Sequence, residues 1–215
     1  KVLKDAGGGF DLVLADLGVS SMQLDDPARG FTFKREGPLD LRLNPERGQP
    51  ASALLQSLSE KDFAKMLSVN ADEPHARGNA RSVFKGSKPI ITTTALADAV
   101  RRALPRASCE ADEEERTRSI RRTFQALRIA VNDEFFVLEQ FLKSLPVCLK
   151  PEGRAAILTF HTGEEDRVVR LFREGFKSGV YAEMSLEPVR PTSQEQYDNS
   201  RSKSARLHWV HRSAG

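Results

Sequence analysis

A chain of 215 residues, 39% apolar and 29% charged, has room for one medium domain, or one domain carrying a small insert, around a modest core. No apolar run is long enough to cross a bilayer, residues 1–6 do not read as a signal peptide, and Cys109 and Cys148 are too few for a disulfide scaffold or a cysteine zinc site. The balance of 33 basic to 30 acidic side chains, net +3, favours a polyanionic partner only where the surplus clusters. Both cysteines read as ordinary thiols of a reducing compartment.

Gly7, Gly8 and Gly9 precede the first strand instead of following it, so they read as a turn and not as a phosphate-cradling loop. The apolar run 12–15 has the length of a buried strand. It stops at Asp16 and turns through Gly18 into a polar loop that lasts to Asp26. Open α/β sheets present ligands where strands end in this way, so Asp16 is expected to open the site. Residues 27–42 hold too many breakers for regular structure and read as a long, ordered, irregular loop.

From about Gln49 to Leu104 the pattern is helical. Leu54, Leu55 and Leu58 end one piece. Ser59 caps the next, with Phe63, Met66 and Leu67 on its apolar face. Ala76, Ala80, Val83 and Phe84 form a third, with Arg77, Arg81 and Lys85 at i, i+4 spacing on another face. The threonines 92–94 cap a fourth, buried through Leu96, Val100 and Leu104. The spacing predicts a small helical subdomain, residues 45–115, inserted into an α/β frame made of 1–44 and 116–215. Residues 108–122 swing from acid to base and read equally as a solvated linker or a nucleic-acid-facing hinge.

Residues 123–145 carry a full core stripe and read as one helix. Beside that stripe run Gln125, Arg128 and Asn132. They either brace the loops at Asp16 and 29–42, the favoured reading, or line a site. Pro151 to Gly153 is expected to turn, and 154–160 to form a second buried strand ending at His161, followed by a helix from Glu164 to about Phe176. Asp16 and His161 are thus expected on one ligand-binding edge. Residues 188–204 read as a surface loop and 204–212 as a closing strand at or near a sheet edge.

Ser20 and Ser21 do not sit in a nucleophile elbow. The four histidines give no zinc cluster, and no second carboxylate near Asp16 has convincing spacing for Mg²⁺. No metal is expected. What remains is a group transfer in which the protein positions a cofactor and a nucleophile, an effect that can supply on the order of 7–11 kcal/mol of a barrier.

Several blocks then become specific together: Asp16-Leu-Gly-Val-Ser-Ser-Met-Gln-Leu-Asp, Arg29-Gly-Phe-Thr-Phe, Gly37-Pro-Leu-Asp-Leu-Arg42, Arg122-Thr-Phe-Gln-Ala-Leu-Arg-Ile-Ala-Val-Asn132, and Phe160-His161 with Glu165-Asp-Arg167-Val-Val. In this order they closely resemble the bacterial small-subunit rRNA cytosine-N4 methyltransferases, the MraW/RsmH family. The resemblance runs from about Asp11 to Leu207 and is loosest in the insert. It implies an α/β fold of the Rossmann-like class I methyltransferase type, partial here because the first strands are lacking, with an inserted small helical domain. It implies S-adenosylmethionine as donor, and as partner and substrate the small-subunit (16S-type) rRNA or the small ribosomal subunit, with no membrane. The oligomeric state stays open between monomer and homodimer, and the compartment is the cytoplasm or an organelle interior.

By motif, Asp16, Gly18 and Gln23 match cofactor-binding positions. Asp16 sits where such enzymes place an acid between cofactor and target amine, and His161 is the second catalytic candidate. Arg29, Phe31, Phe33, Arg35, Arg42, Arg77, Arg81, Gln125, Arg128 and Asn132 are candidates for RNA contact. Core packing is the favoured role for the two phenylalanines.

Two departures from the family stand out. The glycine loop and ribose-binding acid that the family carries upstream have no counterpart in residues 1–9. The family's His-Ser-Leu-Glu-Asp-Arg block has one extra residue here, His161-Thr-Gly-Glu-Glu-Asp-Arg167. The competing classes are a non-catalytic RNA-binding or assembly module that has lost the cofactor loop, and a different α/β enzyme using Asp16 with a metal. Taken as it stands, the chain is expected to bind S-adenosylmethionine negligibly, and micromolar binding in a calorimetric titration would contradict this.

Overall fold

The computed structural model describes residues 7–86 and 88–214; the segment 1–6, read above as no signal peptide, lies outside them. In chain order the elements are β1 (Phe10–Asp16), α1 (Ser21–Asp25), α2 (Ala51–Ser57), α3 (Glu60–Ala71), α4 (Ala76–Phe84), α5 (Thr93–Ala103), α6 (Glu110–Val131), α7 (Glu134–Cys148), β2 (Leu149–Thr159), α8 (Thr162–Lys177), β3 (Tyr181–Met184), α9 (Ser193–Asp198) and β4 (Arg206–Arg212). They form two compact units, one of residues 1–18 and 135–215, the other of residues 19–134. The division differs from the insert expected at 45–115. Phe31, Leu39 and Leu41 of the irregular loop share one core with Phe63, Leu67, Ile120 and Leu127, so loop and long helix both go with the helical unit.

The first unit is a sheet of order β1-β2-β4-β3. β1 and β2 are parallel, and β4 is antiparallel to both of its neighbours. The closing strand β4 is therefore one strand in from the edge, within the at-or-near-edge position expected. Residues 181–184, too short to signal a strand, take that edge. One sheet face is covered: Val13, Ala15, Ala155, Ile157 and Val210 pack with Leu138 and Leu142 of α7 and Val168 and Phe172 of α8.

β1 corrects the expectation of a fully buried strand. Alternation turns Leu12 and Leu14 away from that core, and they are 63% and 67% exposed. Pro151 to Gly153 turn as expected, but inside the span of β2: pairing jumps from Phe10 with Leu149 to Leu12 with Arg154, Glu152 is left-handed (φ 62°), and a Cβ on Gly153 would lie 2.9 Å from the Lys150 carbonyl oxygen. This is a bulge within the strand pair.

In the helical unit, the predicted caps are in place. Ser59 Oγ accepts the Asp62 N–H at 3.1 Å, and Thr92 Oγ1 accepts the Ala95 N–H at 3.3 Å. Each satisfies an otherwise orphaned donor of a first turn. Residues 110–122 are not a linker: α6 is a continuous 22-residue helix. Its acids stand near its N-terminus, where the dipole favours them, and its arginines follow one turn later. Arg118 meets Glu114 at 3.0 Å and Arg116 meets Glu113 at 3.4 Å. The single helix expected over 123–145 breaks at Asn132–Asp133, where Asp133 adopts φ 49°, and α7 restarts at Glu134.

Leu127 is fully buried, so Leu127→Ala is expected to cost about 2–5 kcal/mol in denaturant unfolding. Leu12→Lys and Leu14→Lys are expected to cost far less. Equal losses from either would refute the exposed face of β1.

Candidate functional site

In the sheet unit the site candidates gather at the carboxyl ends of the parallel pair. Asp16 is in register with Leu158, and the Leu17 N–H donates to the Leu158 carbonyl at 3.1 Å. The two strands therefore finish together. Asp16 is exposed, and its carboxylate has no protein partner among the described residues. Gly18 follows at φ 91°, a left-handed conformation that glycine adopts without strain. A Cβ there would lie 3.8 Å from the Phe160 ring at the end of β2.

Past β2 the chain makes a braced turn. The Phe160 N–H donates to Glu164 Oε2 at 2.9 Å, and the Glu164 N–H donates to His161 Nδ1 at 3.3 Å. With Nδ1 accepting, a neutral imidazole carries its proton on Nε2. Nε2 lies 3.3 Å from Glu164 Oε1, close but not aligned for a hydrogen bond. Both ring nitrogens of the second catalytic candidate thus face Glu164, and its side chain is only 14% exposed. The ring stands 6.0 Å from that of Phe135. The Arg167 guanidinium stacks 3.5 Å over the other ring and donates Nη1 to the Gly163 carbonyl at 2.7 Å. His161 is the N-cap of α8, and the extra residue of this block is taken up inside a regular helix, 162–177.

In sequence, Glu164 reads only as the start of a helix and Phe135 only as part of the core stripe, neither as a site residue. The signal for Glu164 was its position three residues after a capping residue. For Phe135 there was none, because its ring is one apolar residue among many on a helix.

A second polar chain joins β3, β4 and α8. Buried His208 lies 3.0 Å from Glu165 Oε1 through Nε2 and 3.5 Å from Ser185 Oγ through Nδ1. The order Ser–His–Glu resembles a hydrolytic triad. The hydroxyl is buried, however, and already accepts the Trp209 N–H at 3.1 Å. A nucleophile must reach substrate, so this chain is a fastening.

The remaining candidates belong to the helical unit. Gln23 forms a capping box with Ser20: its Oε1 accepts the Ser20 N–H at 2.9 Å, and its own N–H donates to Ser20 Oγ at 3.3 Å. Arg29 donates Nη2 to the carbonyls of Arg42 and Leu43 at 3.0 and 2.9 Å. Gly30 sits at φ 75° with the backbone of residues 38–40 against it; a Cβ there would run into the Pro38 carbonyl. Phe31 is buried, and Phe33 packs on Phe124 at 5.6 Å between centroids. Arg42 forks onto Asp40 at 2.7 and 2.8 Å. Arg128 forks onto Glu134 at 2.8 and 2.9 Å. Gln125 is half-buried, and Arg35, Arg77 and Arg81 are exposed.

Asn132 is the brace of the irregular loop. Its Oδ1 accepts the Leu43 N–H at 2.7 Å, and its Nδ2 donates to the Leu41 carbonyl at 2.8 Å. Between these anchors the buried Leu41 holds φ 65°, which is strained for a branched side chain. Asn132→Ala is expected to destabilise the helical unit by about 1–2 kcal/mol, because the partly buried Leu41 carbonyl and the Leu43 N–H both lose their partner. Chemical denaturation measures this, with Asn132→Gln expected to recover little of it.

The hydrogen bonds from Arg42 hold the Asp40 carboxyl below its ordinary 3.8. A carboxyl depressed in the folded state contributes stability above that value and loses it as pH falls through the folded pKa. Asp40→Asn is therefore expected to flatten the acid limb of the stability–pH curve below about pH 4, read by thermal melts across that range.

The sequence matches the MraW methylase family over residues 1–213. It is 45% identical over 207 residues to the ribosomal RNA small subunit methyltransferase H 1 of Agathobacter rectalis, covering 94% of this chain and 59% of that protein. It is 47% identical over 206 residues to the ribosomal RNA small subunit methyltransferase H 2 of Alkaliphilus metalliredigens, again 94% of this chain and 59% of the relative. The chain thus spans 59% of the length of these curated relatives. No described helix is long and apolar enough to cross a membrane. With its parallel strand pair and helical crossover, the α/β architecture is that of a Rossmann-like methyltransferase, and the chain belongs to the MraW methylase family.

Proposed function

We propose that this chain carries the reacting end of an S-adenosylmethionine-dependent methyltransferase that acts on the N4 amine of a cytosine in small-subunit rRNA. The observation that carries the reading is the Asp16 carboxylate. It is exposed and unpartnered at the carboxyl end of β1, beside a turn that Glu164 braces at the end of β2. The match to relatives named as ribosomal RNA small subunit methyltransferases supports the substrate class.

Asp16 and the left-handed Gly18 offer what a methyl-donor site needs at this end, a carboxylate and a backbone that a ligand can approach closely. When bound, S-adenosylmethionine supplies an electrophilic methyl on a sulfonium sulfur. A cytosine amine is a poor nucleophile because its lone pair is shared with the ring. The Asp16 carboxylate accepts a hydrogen bond from that amine, fixes its direction and stabilises the positive charge that grows on nitrogen. During the transfer, one amine proton would pass along this hydrogen bond to the Asp16 carboxylate. The His161 ring, held against Glu164, keeps the neighbouring turn in place and takes no proton in this scheme.

In the full-length protein, Asp16→Ala is expected to lower kcat for methyl incorporation into small ribosomal subunits by about 100-fold or more, with KM for RNA little changed. Asp16→Asn keeps an acceptor oxygen and is expected to lose less. Unchanged incorporation by Asp16→Ala, or incorporation dependent on an added divalent metal, would sink the reading.

A further inference from the structure

The cations of the helical unit fall into two classes. Three arginines of α6 are paired within their own helix, Arg118 with Glu114 at 3.0 Å, Arg122 with Glu115 at 3.4 Å and Arg116 with Glu113 at 3.4 Å, while Arg121 is exposed and makes no ion pair among the described residues. Arg42 and Arg128 hold Asp40 and Glu134. The α4–α5 hairpin instead gathers several unpaired cations on two neighbouring helices. Arg77, Arg81, Lys85 and Arg102 are exposed and make no ion pair among the described residues. The sequence of α4, Ala-Arg-Gly-Asn-Ala-Arg-Ser-Val-Phe, contains no acid. The acid of α5, Asp98, is bound by Arg101 at 2.9 Å.

Packing sets these cations on one flank. Ser82 Oγ donates to the Ala99 carbonyl at 2.5 Å, and a Cβ on Gly78 would lie 4.0 Å from the Ala103 carbonyl. The two helices therefore run antiparallel, touching along 78/82 and 99/103. Arg81 stands one position before Ser82, and Arg102 one position before Ala103. For two right-handed antiparallel helices, equal offsets from the contact line fall on the same side. Arg77 and Lys85, four residues either way from Arg81, extend the strip along α4.

We infer that this flank of the α4–α5 hairpin, built on Arg77, Arg81, Lys85 and Arg102, is a docking surface for the phosphate backbone of RNA. The inference rests on the reading of the chain as part of an rRNA methyltransferase and adds where the nucleic acid is held. Three features favour RNA over an acidic protein or a lipid surface. Guanidinium groups predominate, and they match phosphate oxygens in paired hydrogen bonds. No large apolar side chain of α4 or α5 is exposed, whereas protein interfaces and membrane-inserting helices need apolar anchors. The charge is free to exchange counterions, which is the driving term of nucleic-acid binding.

The test is fluorescence anisotropy of the 215-residue chain with a labelled RNA hairpin taken from the small-subunit rRNA, across salt from about 50 to 200 mM. The triple variant R77Q/R81Q/R102Q is expected to bind about tenfold more weakly or worse at low salt. Its log–log salt slope is expected to be shallower by about 2–3, close to one per lost phosphate contact. The variant R118Q/R122Q on α6 serves as the paired-charge control and is expected to keep both affinity and slope. Circular dichroism melts of each variant exclude unfolding as the cause.

An unchanged slope in the triple variant overturns the inference. So does a loss of equal size in R118Q/R122Q. Stronger arginine-dependent binding to an acidic peptide or to phosphatidylserine vesicles than to RNA assigns the surface to another partner and overturns it too. Methyl incorporation by the full-length protein is measured separately. Its absence, with arginine-dependent RNA binding intact, removes the enzymatic reading and leaves this surface standing.

Discussion

Parallel pairing of β1 with β2 is the constraint on which the rest of this structure depends. Parallel neighbours cannot be joined by a tight hairpin, so the chain must leave the sheet at the carboxyl end of β1 and travel back to the opposite end before the second strand begins. Residues 19–134 and α7 are that excursion. Continuous register from Leu12 with Arg154 to Asp16 with Leu158 then makes the two strands stop side by side. An acid placed on one strand end and a capped turn on the other thereby become neighbours, although more than half of the chain separates them in sequence.

The parts of this arrangement readable from sequence are those with a local cause. A strand-length apolar run ending in Asp16 marks its own end. Ser59 and Thr92 precede helices at positions where a hydroxyl must accept a backbone N–H, and both do. Asn132, a polar side chain repeating beside a core stripe, needed partners, and the irregular loop provides them. The parts that escaped depend on tertiary context. Tyr181 to Met184 is too short a strand to show a period. The charge swing over 110–122 suits a solvated linker and an ion-paired helix equally well until the i, i+4 pairs such as Glu114 with Arg118 are seen closed. The break at Asp133 leaves the apolar rhythm uninterrupted, because α7 resumes with its own apolar face toward a different core.

The site shows the same division between residue type and residue role. Chemistry marks Asp16, His161 and the arginines, but chemistry alone does not say what a side chain is already holding. His161 spends one nitrogen capping a helix and turns the other toward a buried acid. Arg29, Arg42 and Arg128 are occupied with carbonyls and carboxylates of their own unit. Asp16, Arg77 and Arg81 are exposed and make no side-chain hydrogen bond or ion pair among the described residues. Partner bonds, more than residue type, divide scaffold residues from candidate site residues.

The bare side of β1 has a practical consequence. Leu12 and Leu14 stand on an outer strand whose free backbone groups present an unfilled ladder, so hydrophobic surface and hydrogen-bonding template coincide. That combination recruits another strand from any chain that offers one. Among the described residues β1 pairs on one side only, and the alternation that packs Val13 and Ala15 against the core puts Leu12 and Leu14 on the opposite face, a feature that sheets elsewhere blunt with a charge or a covering element.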